Sequence, residues 1–182
     1  MVLKMIETAR LILRQWQTED YASFAQMSTN PQVMQYFPKL LTRTESDAFI
    51  NKVRAIIELQ GWGFWAVELK SNHQFIGFVG LHSQPTQFSF SPCIEIGWRL
   101  DQAYWGKGYA TEAAQSVLDF AFRELKFEKI VSFTSLENLR SQMLMQKLGM
   151  IKVEEFQHPA LVKDHPLSWH VLYEIHQSDL IK

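Results

Sequence analysis

Between two β-type runs, CIEIGWRL at 93–100 and KIVSFTSL at 129–136, the chain carries its strongest periodic signal. Ala110, Ala113, Ala114, Val117, Leu118, Ala121, Phe122 and Leu125 fall at i, i+3 and i+4 spacing and predict an amphipathic helix over 110–125. A strand, a crossover helix and a second strand of one sheet form a right-handed unit with parallel strands. The two runs before it, GFWAVELK and FIGFVGLHS, flank the short polar turn SNHQ and read as a hairpin, whose strands are antiparallel. The sheet is therefore expected to be mixed, and the fold class α/β.

Other segments fill in around this unit. ARLILRQW reads as a strand, and TEDYASFAQMS as a helix with Thr18 as its N-cap and acids in the first turn. NPQVMQYF reads as a further short helical piece, and TESDAFINKVRAIIEL as a capped helix with Phe49, Val53, Ile56 and Ile57 on one face. Beyond the crossover, NLRSQMLMQKLG is expected to be a helix that ends at Gly149, with MIKVEEFQ and WHVLYEIH as closing strands. No Gly/Ser-rich linker, repeat or charge block divides the 182 residues, so one domain over 1–182 is expected.

Several function classes drop out on composition. A formal net charge of −1 gives no basic stripe for nucleic acid or an anionic membrane surface. No apolar run approaches the roughly 20 residues that span a bilayer, and the start MVLKMIETARLILRQW is interrupted by charge too often for a secretory signal. The lone cysteine, Cys93, has no internal disulfide partner, and a cytoplasmic protein is expected. Without a positioned histidine Cys93 reads as a small buried residue and not as a nucleophile. His73, His82, His158, His165, His170 and His176 show no H-x-x-x-H spacing, so no metal is expected. Trp62, Phe64, Trp65, Phe75 and Phe78 alternate on the hairpin and read as core, not as a base-stacking platform.

What remains is AYWGKGYATEAA at 103–114, with two glycines and a lysine where the periodic helix begins. The first N–H groups of a helix lack internal partners and carry partial positive charge, so a bare, turning backbone there suits an anion. The ligand is not a dinucleotide, because the third position of G-x-G-x-x-G is Thr111, and the spacing G-x-x-x-x-G-K-[ST] of a nucleoside triphosphate loop is absent. A tight turn whose glycines only supply positive φ stays open as the alternative. Ligands of such sheets sit at the carboxyl ends of parallel strands, here after Leu100 and Leu136.

EIGWRLDQAYWGKGYATEAA, followed later by NLRSQMLMQKLGM, resembles the GNAT-type N-acetyltransferases, in particular the branch of ribosomal-protein N-terminal acetyltransferases. The resemblance runs from ETARLILRQW through FIGFVGL to VLYEI, nearly the whole chain. The superfamily usually has Gln or Arg where Trp105 stands, and the branch tolerates Trp. The resemblance implies a single-domain GNAT fold: a mixed, mostly antiparallel sheet of about six to seven strands with one central parallel pair and helices on both faces. It implies acetyl-coenzyme A (acetyl-CoA) as cosubstrate, with the pyrophosphate on backbone amides from Trp105 to Ala110. Cofactor contacts are carried over to Trp98, Leu100, Trp105, Gly106, Lys107, Gly108, Tyr109, Ala110, Thr111, Asn138 and Ser141. The implied reaction is direct attack by a primary amine in a ternary complex, without a metal. A protein N-terminus is the first expectation for the acceptor and a polyamine, amino acid or antibiotic the second; the chain is expected as a monomer or homodimer.

Acetyl transfer needs a neutral amine, donors for an oxyanion and a proton for the leaving thiolate. A protein α-amine has a pKa of about 7.7–8.0, so a weak base suffices. Glu95 fits that role, since relatives use an acid at this strand position to hold water near the amine; the alternative is a Glu95 paired with a basic residue across the sheet. Backbone N–H groups around Ile96 to Trp98, where the family commonly has a bulge, are the candidate oxyanion donors. In many relatives a tyrosine stands seven residues after the asparagine of the second motif, but that count from Asn138 reaches Met145. Ser141, three residues after Asn138 on the same helical face, is the remaining proton or hydrogen-bond donor. The alternative is that Asn138 only caps the helix and Ser141 bonds locally. NPQVMQYFPKLLTR, SQPTQFSFSP and HPALVKDHP are candidate acceptor walls. A CoA-binding module without chemistry is the competing class; the polar side chains retained at 95, 138 and 141 favour the enzyme.

Overall fold

Hydrophobic alternation and turn residues produce a run of antiparallel strands and two helices in the first half of the chain. In the computed structural model, which describes residues 4–181, these are β1 (Ile6–Glu7), β2 (Leu11–Arg14), α1 (Asp20–Ser28), α2 (Arg43–Gln60), β3 (Phe64–Leu69) and β4 (Phe75–Gln84). The charge-interrupted start is thus described only from Lys4. β5 (Cys93–Leu100), α3 (Tyr109–Arg123), β6 (Lys129–Ser135), α4 (Leu139–Lys147), β7 (Ile151–Gln157) and β8 (Trp169–His176) follow. The sheet has eight strands in the order β1-β2-β3-β4-β5-β6-β8-β7. β5 and β6 are the parallel pair, in register at Glu95 and Val131, and β8 enters antiparallel between β6 and β7. The mixed sheet around one crossover unit is as expected. The strand count exceeds the expected six to seven because β1 is a two-residue strand, too short to leave a periodic signal.

By contacts the chain forms two compact units: one runs to Leu81 and takes in Gly97–Val117, the other comprises His82–Ile96 and the chain from Leu118 on. In the first, Trp16 is the centre of the core, with its ring 5.2 Å from Phe24 at an edge-to-face angle, while Phe24 stacks on Phe49 at 5.1 Å. Of the hairpin aromatics, Trp65 and Phe78 are buried in the core, Phe78 lying 5.0 Å from the half-buried Phe64, while Trp62 and Phe75 are half-buried, Phe75 with its ring 5.3 Å from Trp16. Arg14 is buried here in a cluster of charges. Its Nη1 and Nη2 donate to Asp20 at 2.8 and 2.9 Å, its Nε donates to Glu68, and Glu68 also meets His73 Nδ1 at 2.7 Å.

That cluster explains one departure from expectation. Thr18 does not cap α1; the Asp20 carboxylate accepts the Gln17 N–H at 2.8 Å, and the helix begins at Asp20 without a side-chain cap from the preceding residue. A second departure is 30–37, of which residues 31–36 form consecutive turns and not a helix: Met34 N–H bonds the Asn30 carbonyl at 3.0 Å and Phe37 N–H bonds the Met34 carbonyl at 2.9 Å before Pro38 stops the pattern. α2 starts earlier than the pattern suggested, because Thr42 and Glu45 form a reciprocal capping box. α3 stops at Arg123, two residues short of the periodic run.

In the second unit, Phe88, Phe90, Phe133 and Phe156 pack with His158 and His170, and Phe88 stacks 4.9 Å from Phe90. The irregular SQPTQFSFSP therefore anchors itself through two core aromatics. Burial and the neighbouring His158 push His170 down to about 4, so it is neutral at physiological pH.

Candidate functional site

The first unit contains the glycine loop. After Leu100 the chain makes a single 3-10 turn at Gln102–Tyr104, and Trp105 turns back to donate its Nε1–H to the Leu100 carbonyl at 2.9 Å. Trp105 is thus a brace for the loop entrance. Gly106 and Gly108 adopt φ of 73° and 79°, the left-handed region that disfavours side chains. A Cβ on Gly106 would meet nothing within 4 Å, whereas one on Gly108 would sit 3.4 Å from Arg10 Nη2. Gly106, Lys107 and Gly108 are exposed, and Tyr109, Ala110 and Thr111 are half-buried. α3 begins at Tyr109, and the first amide to find an acceptor on the helix is Glu112, bonded to the Gly108 carbonyl at 3.0 Å. The open face at Gly106 and the leading amides of α3 fit a phosphate-bearing group.

Two residues that sequence reasoning did not single out hold this loop in shape. Arg10 donates Nη1–H to the Lys107 carbonyl at 2.9 Å and lies over the Tyr109 ring at 4.5 Å. Its Nε donates to Glu112 Oε2 at 2.6 Å, while Glu112 Oε1 accepts from Thr8 Oγ1 at 2.6 Å and the Arg10 amide at 2.8 Å. Burial raises the Glu112 carboxyl, but these bonds outweigh it and hold the group below its ordinary value. The only sequence signal was an acid in the first turn of a helix, too common to assign a partner about a hundred residues away.

The second unit carries Glu95, Asn138 and Ser141. Glu95 Oε2 accepts from the Gln84 amide at 2.8 Å, so its partner is a neutral side chain from β4 and not a basic one. Burial pushes the Glu95 carboxyl up to about 7, against the stabilising Gln84 bond. Ser132 Oγ donates to the Ile96 carbonyl at 2.9 Å, which ties β6 to the strand just past Glu95. A carboxyl that changes charge near neutrality can take a proton from a weakly acidic donor.

Asn138 caps α4, its Oδ1 accepting the Ser141 N–H at 3.2 Å. Its Nδ2 donates to Thr134 Oγ1 at 2.9 Å and to Ser141 Oγ at 3.1 Å. The local capping reading of this pair is therefore met, and the same bonds fix the Ser141 hydroxyl at the start of the helix. Met145 is 1% exposed and belongs to the core, so a tyrosine there would have to displace packed neighbours. Of the other carried-over positions, Trp98 is half-buried while Leu100, 5% exposed, fills the core under the loop.

Cys93 is half-buried, and burial with the nearby Glu95 raises its thiol, in keeping with an inert residue. Among the described residues no group of three or more His, Cys, Asp or Glu is placed to hold a metal, and no helix is long and apolar enough to cross a membrane.

The profile of the acetyltransferase (GNAT) domain matches residues 10–151, and the chain belongs to that family. It is an acetyl-transferring enzyme fold whose family uses acetyl-CoA as cosubstrate. Among its relatives, the uncharacterized N-acetyltransferase YnaD of Bacillus subtilis is 30% identical over 146 residues, 80% of this chain and 81% of that one. An Aspergillus fumigatus FsC-acetyl coenzyme A-N(2)-transacetylase is 28% identical over 158 residues, covering 83% and 66% of the two chains. A GNAT-family acetyltransferase from Bacillus anthracis superposes with a TM-score of 0.81 at 26% identity over 96% of this chain and 99% of that one. The ribosomal-protein-S5-alanine acetyltransferase of Vibrio fischeri superposes with a TM-score of 0.76 over 97% and 98%, and at 21% identity it attests the fold alone.

Proposed function

We propose that this acetyltransferase acts on an α-amine, with Glu95 as the base that removes its proton. The observation that carries the reading is a buried carboxyl, held by one neutral amide, whose pKa of about 7 lies just below the roughly 7.7–8.0 of a peptide α-amine. A lysine side chain, at about 10.4, would be a poorer match. The loop from Trp105 to Thr111 holds the pyrophosphate of acetyl-CoA on its amides, with Arg10 and Lys107 adding positive charge; Trp98 lines the approach to it, and Leu100 supports the loop from the core. The group supplies the activated acetyl thioester. Amides between Ile96 and Trp98 are the proposed donors to oxygen as charge develops on it, and Ser141, fixed by Asn138, donates a hydrogen bond to the departing sulfur. The whole chain is taken as one catalytic domain, working as a monomer or homodimer in the cytoplasm. A protein N-terminus is the acceptor suggested by the branch, and a small amine is the alternative.

The deciding experiment follows thiol release from acetyl-CoA with a panel of peptides, amino acids, polyamines and aminoglycosides. Turnover of α-amines ahead of lysine-like amines is expected. Tight CoA binding without turnover on any of them would instead support a binding module. Two variants test the parts. Gly108→Val places a β-branched side chain at φ 79° against Arg10, and CoA affinity should fall about tenfold or more, read by calorimetry on folded protein. Ser141→Ala should lower kcat about 10²-fold with little change in CoA affinity; near-normal kcat would leave Ser141 a capping residue only.

A further inference from the structure

The first unit has two inward-facing arginines with opposite surroundings. Arg14 is bonded to two carboxylates. Arg99, on β5, has none among the described residues: its Nε and Nη1 are buried without a hydrogen-bond partner. Its guanidinium carbon lies 4.1 Å from the Phe37 ring centroid, 5.3 Å from Phe78, 5.8 Å from Phe24 and 5.9 Å from Phe49. Ring faces attract the charge but accept few of the five N–H donors that a guanidinium presents. Burial lowers Arg99 to about 10, still far above neutrality, so the group stays charged.

A desolvated cation with unfilled donors is costly unless something supplies the opposite charge. The fold makes such a pair for Arg14 and leaves Arg99 without one. Phe37, the nearest ring, is 38% exposed and belongs to the turn segment that the sequence marks as an acceptor wall. The guanidinium fork matches a carboxylate in a bidentate bond.

We propose that Arg99 and its phenylalanine cage form a subsite for a carboxylate carried by the acceptor. The acceptor is then an amine that also bears an acid group, whether a free amino acid or a peptide whose first residue is Asp or Glu. This rests on the amine-acetylation reading above.

The test compares matched pairs by thiol release: leucine with isoamylamine, phenylalanine with 2-phenylethylamine, and Asp- or Glu-initiated tripeptides with their Asn and Gln counterparts. The acid-bearing member of a pair should be preferred, and whichever set responds identifies the source. Arg99→Met should raise KM for that substrate by about ten- to hundred-fold, the worth of a hydrogen bond to a charged group, with kcat and CoA affinity nearly unchanged. Arg99→Lys keeps the charge without the fork, should lose several-fold, and serves if the methionine variant fails to fold. Equal turnover of both members of every pair overturns the carboxylate subsite and leaves the acetyltransferase reading standing. Reduced CoA affinity in either variant also overturns it, by assigning Arg99 to the cofactor. If no amine is acetylated, the reaction reading falls, and calorimetry with leucine, N-acetyl-leucine and the Asp tripeptide decides the subsite: binding lost in the variant upholds it, and absence of binding to the unaltered protein overturns it.

Discussion

Glu95→Gln is expected to lower kcat by about 10²–10⁴-fold, the range for loss of a positioned acid–base group, while CoA affinity is retained. The pH profile gives the sharper reading. The unaltered enzyme should gain activity as pH rises through about 7, because Glu95 must ionise before it can take a proton. The variant should lose that limb and keep only the titration of the amine. Stability should move the other way. A carboxyl whose folded pKa is raised from 4.5 to about 7 binds more protons in the native state across that window, so the folded protein loses stability as pH rises through it. Glutamine stays neutral; its advantage in stability should therefore be absent below pH 4.5, grow up to about 7 and remain constant above. Urea midpoints at pH 4 and pH 8 together with a kcat/KM profile check both halves. An unchanged profile would return Glu95 to a packing role.

Arg14→Met is expected to cost about 3–5 kcal/mol, the usual loss when one member of a buried ion group is removed and its partners remain. Asp20 and Glu68 are 1% and 7% exposed, so neither carboxylate can turn to water without moving the chain around it. The pH dependence has a definite sign. Burial raises the Glu68 carboxyl, but its bonds from Arg14 and His73 prevail and hold it below its ordinary value. The stability it contributes is complete above the unfolded carboxylate value and fades as pH falls through the folded one. The gap between the two proteins should therefore be widest near pH 7 and narrow in acid, which urea unfolding at several pH values would show. A uniform gap would mean that the loss is one of packing.

Where a feature depended on near neighbours in sequence, it was legible. The periodic stripe from Ala110 to Phe122 gave α3 and with it the parallel pair, and the glycines at 106 and 108 marked where backbone turns into helix. Gly149 ended α4 as its position implied. Features made by distant residues were not legible. Nothing near Glu95 announces Gln84, and nothing near Glu112 announces Thr8 and Arg10. The turns at 31–36 looked helical because their apolar spacing is shared by both forms; local bonds and Pro38 decided between them. Arg99 carried no signal in the sequence, since its lack of a counter-charge appears only once four phenylalanines from separate segments surround it.

The clamp of Thr8 and Arg10 on Glu112 also sets an order of events during synthesis. The segment that braces the glycine loop is synthesised about a hundred residues before its carboxylate partner. Until Glu112 has been made and docked, the loop has its glycines but not its bracing, so its shape for an anion depends on a contact that Thr8 and Arg10 must await. A fragment from which the first ten residues had been clipped would retain the whole glycine motif and still behave as an immature chain.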